Sequence, residues 1–95
     1  MGTYSANTTL KVAAAVLTSA AAAVSYVVPA NRYAILRAHN ATLVAINGTT
    51  VWTGTASNTT STLTLTEFYV GPGQTFGISG AGTVTIHGVE FANTP

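Results

Sequence analysis

Residues 42–52 read TLVAINGTTVW, and the pair Asn47–Gly48 at their centre decides how the rest of the chain is read. Asn and Gly most readily take positive φ, which both central positions of a type I′ turn require. The residues on either side are rich in Val, Ile, Thr and Trp, which favour a pleated, half-buried surface. The stretch therefore predicts a tight hairpin, and a hairpin implies a sheet around it.

Working outward, alternation of apolar and polar residues is the dominant signal. Val24, Tyr26 and Val28 alternate up to Pro29, which has no N–H for a ladder and belongs at a strand end or edge. Residues 32–39 make the next strand, with Tyr33 and Ile35 on one parity. Residues 53–62, TGTASNTTST, are a polar loop, after which Leu63, Leu65 and Tyr69 alternate with Thr62, Thr64 and Thr66. Residues 75–79 and 83–91 give two more strands, divided by Gly80–Ala81–Gly82. Residues 10–25 carry two readings. Ala is the best helix former and Thr9 suits a helix cap, but Val12, Val16 and Val24, with a break at Thr18–Ser19, favour two strands joined by a turn. The expected fold is all-β: a small β-sandwich or jelly-roll-like domain of about eight short strands over residues 10–95, with residues 1–9 as an N-terminal arm.

The chain also repeats itself. YVVPANRYAI at residues 26–35 returns as YVGPGQTFGI at residues 69–78, 43 positions later. That offset places Tyr26 on Tyr69, Pro29 on Pro72, Tyr33 on Phe76 and Ile35 on Ile78. A second block places Val44, Ile46 and Gly48 on Val84, Ile86 and Gly88 at an offset of 40. Two copies are too few for a solenoid, so the repeat predicts two pseudo-equivalent halves around one core. Pro29 and Pro72 would each stop a strand, and Tyr33 and Phe76 would each fill the core.

Composition limits the function. Charged residues are only 5% of the chain, with a net charge of +1, against roughly 25% in an average soluble domain. Such a balance supplies neither the basic stripe of a nucleic-acid binder nor a polybasic membrane patch. The segment KVAAAVLTSAAAAVS, residues 11–25, has the small-residue look of a secretory signal, but Thr18 and Ser19 interrupt it and it falls short of a membrane span. No nucleic acid and no membrane are expected as partners. With no Cys there is neither a disulfide framework nor a thiolate metal site.

Chemistry is equally sparse. A catalytic triad would have to combine a Ser with His39 or His87 and Glu67 or Glu90, without the G-x-S-x-G elbow that exposes a nucleophile. GISGAG, residues 77–82, imitates a phosphate loop but opens no helix. Neither an enzyme nor a cofactor is expected. His87 and Glu90 would meet around a metal only if Gly88 turned the chain, and the simpler reading makes His87 the turn residue equivalent to Asn47. Arg37 and Glu67 both share parity with large apolar residues, which predicts that they pair, within the core rim or across a subunit boundary. The alternatives are a bulge that flips the parity, or a second face that is itself exposed. N-x-T triplets begin at Asn7, Asn40, Asn47 and Asn58, as expected in a chain so rich in Asn and Thr. Trp52, Phe68, Tyr69 and Phe91 offer rings for a sugar, but a small β core needs them first.

The stretches SYVVPANRYAIL (residues 25–36), FYVGPGQTFGIS (68–79) and GTVTIHGVEF (82–91) resemble those of small bacteriophage virion proteins. The resemblance covers residues 25–91 and leaves out the Ala-rich start. It implies a compact β-sandwich, made in the host cytoplasm, that forms homotrimers or other oligomers. Its expected role is to bind the major capsid protein on the virion surface as a head decoration (cement) protein. A tail-fibre or receptor-binding module, or a carbohydrate-binding module that takes glycan, is the alternative. The resemblance brings no catalytic residues with it.

Overall fold

The computed structural model of the chain describes residues 9–54 and 66–94. The arm expected over residues 1–9, apart from Thr9, lies outside the described residues. So do most of the 53–62 loop, Leu63, Leu65, Asn7 and Asn58. The described residues form six strands: β1 (Thr9–Val27), β2 (Arg32–His39), β3 (Leu43–Ile46), β4 (Thr49–Thr53), β5 (Phe68–Val70) and β6 (Thr75–Thr94). They make one antiparallel sheet, curled into half a barrel, in the order β4-β3-β6-β2-β5, with β1 also paired to β6.

The all-β expectation holds, but six strands stand where about eight short ones were expected. The difference comes from β1 and β6, of 19 and 20 residues, each read from the sequence as two strands. Both bend without breaking. Their ladder pairs Ala21 with Thr83 and Ala23 with Ser79, so Ala22 on one side faces Gly80, Ala81 and Gly82 on the other. Ala22 takes a φ of 70° there, the local price of a bulge. A straight 19-residue strand would span about 60 Å, whereas the longest dimension of the molecule is 49 Å.

The bend marks a hand-over along β6. Its C-terminal part pairs with β2, from Arg32↔Ala92 to His39↔Thr85, and its N-terminal part pairs with β3, from Leu43↔Ser79 to Ile46↔Phe76. Between them the chain crosses over Gly80, where a Cβ would stand 2.6 Å from the Asn40 carbonyl oxygen. Asn40, at φ 64°, donates from Nδ2 to the Thr83 carbonyl at 2.9 Å. The Thr42 N–H donates to the Ser79 carbonyl at 2.7 Å. The glycines read as a loop between strands are therefore the place where one strand receives two neighbours in succession.

The β3–β4 hairpin closes as expected, with Asn47 at φ 51° and Gly48 at φ 82°. Asn47 Oδ1 also accepts the Thr75 N–H at 2.9 Å, fastening the turn to the start of β6. Both asparagine side chains of the described N-x-T triplets thus serve turns.

Both copies of the repeated sentence are strand–turn–strand corners, and they interlock. Val28 donates its N–H to the Gln74 carbonyl and accepts the Gly73 N–H, both at 2.9 Å. Their phase differs from the lettering by one residue, however. One turn runs from Pro29 to Arg32 and the other from Gly71 to Gln74, so Pro29 holds the first position of its turn and Pro72 the second of its own. Gly73, at φ 75°, takes the third position, as in a type II turn. The burial follows the same shift: Val28, Ala34 and Leu36 are buried in one corner, and Val70, Phe76 and Ile78 in the other. Tyr33, expected in the core, is 45% exposed, whereas Phe76 is fully buried and packs on Phe68 with ring centroids 5.4 Å apart.

The second block also diverges. Gly48 lies in a hairpin turn, but Gly88 lies inside β6, facing Val16 and Leu36. A Cβ on Gly88 would stand 2.1 Å from the Ile35 carbonyl oxygen, and one on Gly48 would meet nothing within 4 Å. Gly88→Ala is expected to cost at least about 3 kcal/mol, because the clash is with backbone, whereas Gly48→Ala costs about 1–2 kcal/mol of φ strain. Thermal or urea unfolding of the two variants checks the order.

Candidate docking surface

Antiparallel pairing puts cross-strand partners on one face, so the register sorts the side chains directly. The face inside the curl holds Val16, Ala34, Leu36, Ala38, Val44, Phe68, Val70, Phe76, Ile78, Val84 and Ile86, all buried. The outer face carries three rows: Val12 beside Phe91 and Tyr33; Ala15 beside Val89, Ile35 and Tyr69; Leu17 beside His87 and Arg37. Several of these large side chains lie open, with Leu17 79%, Tyr69 71% and Val12 66% exposed. Tyr33, Ile35, Tyr69 and Phe91 line a shallow groove of about 410 Å³ that Val70 and Gly71 close.

The charged residues are distributed between the two faces. On the outer face Arg37 Nη2 donates to Glu67 Oε2 at 2.9 Å, with both side chains about 40% exposed (39% and 41%). The pair forms within one chain, on a solvated face and not in a core rim. On the inner face Arg32 Nη1 donates to Glu90 Oε1 at 2.7 Å, and Glu90 is only 1% exposed. Glu90 lies between Ala14 and Ala34 in the register, where small neighbours leave room for the carboxylate. Its second oxygen, Oε2, is buried without a hydrogen-bond partner. Sequence reasoning missed this pair. The available signal was parity: Glu90 falls two and four residues from Gly88 and Ile86, and Arg32 two and four from Ala34 and Leu36.

The two carboxylates of the chain are thus both held by its two arginines. His87 is not a turn residue, because β6 runs straight through it. It lies on the outer face opposite Leu17 and Arg37, while Glu90 points inward, so the structure does not bring that candidate metal pair together. Among the described residues no group of three or more His, Asp or Glu side chains gathers in a way that could hold a metal ion. Trp52 is half-buried, packs against the core, and lies over Gly54, where a Cβ would stand 2.5 Å from its ring. Pro29, Asn47 and Gly48 act in turns, and Pro72 and Gly73 belong to the turn that begins at Gly71 on the wall of the groove. Among the described residues no helix is long and apolar enough to cross a membrane.

What this arrangement offers is a neutral, aromatic and aliphatic surface. Contiguous exposed apolar patches mark interaction sites more often than chance exposure does. No protein-family model, curated protein or solved structure matches the chain.

The two ion pairs differ in what their loss leaves behind. Arg32→Ala strands a buried carboxylate and is expected to cost about 3–5 kcal/mol. Arg37→Ala removes a solvated pair and is expected to cost less than about 1 kcal/mol. Equilibrium unfolding in urea measures both, and equal losses would contradict the assignment of the two faces.

Proposed function

We propose that this chain is a structural protein of a bacteriophage virion, seated on the outside of the capsid, which it stabilises as a decoration (cement) protein. Its partners are the major capsid protein and sister copies, in the homotrimers or other oligomers that the resemblance implies. The observation that carries the reading is the outer face, where Val12, Leu17, Tyr33 and Tyr69 lie open on a sheet whose other side already holds the core. Covering a side chain such as Leu17 is worth about 1.5–3 kcal/mol. Docking would therefore add burial of the outer face to that of the core.

The mechanism is mechanical. Each copy lays a neutral face across neighbouring shell subunits, and those contacts must break before the shell can expand or burst. With the arginines and carboxylates engaged with each other, attachment depends on apolar contact and shape more than on charge. It is accordingly insensitive to salt.

Imaging of intact particles tests this. The expected result is density for the chain across the whole capsid surface, and density confined to the tail would replace the reading with that of a tail-fibre module. A Tyr33→Ala/Tyr69→Ala variant is expected to stay within about 1 kcal/mol of the parent stability, since both rings are exposed. It should nevertheless fail to saturate particles stripped of the native protein. Retention of full occupancy by that variant would remove the outer face from the proposal.

A further inference from the structure

Strand β1 has β6 on one side and, among the described residues, no strand on the other. Sheet edges of this length are normally blunted by charge, proline or strong bulges. Between Lys11 and Pro29 this edge has neither a charged residue nor a proline. Its bulges fall at Val12/Ala14 and Ala21/Ala23, which leaves residues 14–21 as a regular run with backbone groups directed outward. Leu17, near the middle of that run, is among the described residues the most exposed of the large apolar side chains, at 79%.

We propose that this run is the seat of a second copy of the same chain, with the two β1 strands pairing antiparallel about a two-fold axis at Leu17. The inference rests on the reading that sister copies are partners, and it is independent of the capsid. Three observations select this occupant. The other described free edges, β4 and β5, have 5 and 3 residues, so another β1 is the described edge that matches in length. Pairing about Leu17 sets Val16 opposite Thr18, Ala15 opposite Ser19 and Ala14 opposite Ala20, with no bulky or like-charged collision. The single charge of the strand, Lys11, lies six positions from the axis, so the two copies of Lys11 stand about 40 Å apart. The contact is isologous and closes on itself, which is what keeps an unblunted edge from growing into a fibre.

Cysteine crosslinking reads the register directly, because the chain has no cysteine of its own. Residues directly opposite in an antiparallel ladder have Cβ atoms about 4.5–5.5 Å apart. Leu17→Cys, oxidised with diamide, is therefore expected to form a covalent pair at least about tenfold faster than Val51→Cys on the free edge strand β4, where Val51 is also exposed, at 46%. The unmodified protein should elute at an even multiple of 9.6 kDa in light scattering, and Leu17→Lys should halve that mass while keeping its far-ultraviolet spectrum. A single-copy or plain trimeric mass, or equal crosslinking at the two positions, overturns the pairing. Should Leu17→Lys fail to fold, the mass and crosslinking results still decide. A chain that pairs in solution but is found on no particle keeps this inference and sinks the virion reading. Single copies on a capsid do the reverse.

Discussion

Strand β6 has both of its edges occupied, by β1 along nearly its whole length on one side and by β2 and then β3 on the other. The other strands depend on that backbone ladder. Without β6, β2 would keep only the short β5, and β3 only β4, and isolated two-stranded units are marginal in water. The ladder also dictates where glycine is needed. Gly88 accepts the close approach of the Ile35 carbonyl, and Gly80 accepts the crossing at Asn40. Both glycines lie inside a strand, where a side chain would hold the neighbouring backbone away.

That constraint explains how far the sequence could be read. Local chemistry was legible. Asn47–Gly48 specifies a two-residue turn through its own dihedral preferences, the alternation in residues 32–39 specifies a strand, and the common parity of Arg37 and Glu67 with large apolar residues suggested a pair. Continuity was not legible, because Gly80–Ala81–Gly82 looks the same whether the chain reverses or merely bends. Facing was misread for a related reason. Tyr33 and Ile35 are larger than Ala34 and Ala38, so size alone assigns them to the core. The parity is set instead by Leu36, which packs inside with Phe68, while Ala34 and Ala38 share that face opposite Val70 and Ile86, so Tyr33 and Ile35 turn outward. Tyr69, opposite Ile35, is likewise turned out.

The few charges follow the same division. Arg32 and Glu90 meet on the inner face although 58 residues separate them, a contact that only the β2–β6 register creates. A buried pair of this kind gains little net stability but is costly to break. It therefore holds Arg32 and Glu90 to one register of β2 against β6, because a one-residue slip would turn a charge to the wrong face. Arg37 and Glu67 make the corresponding contact outside, where water screens it. With its carboxylates engaged in this way, the chain carries an outer surface of aliphatic, Thr, Ala and aromatic residues whose attractions are short-ranged and scarcely affected by salt.

In the proposed pairing, edge and face would act together. A two-fold axis that sets Leu17 opposite Leu17 must run perpendicular to the sheet, since paired residues of an antiparallel ladder project to one side. The outer faces of two copies then become one continuous face, with both sets of Val12, Tyr33, Ile35 and Tyr69 turned the same way. A surface that engages one copy brings the second within reach at high effective concentration, so two modest apolar contacts combine into a firm attachment without any new chemistry. On the proposed pairing, the edge of β1 that is free among the described residues would order the docking faces of two copies.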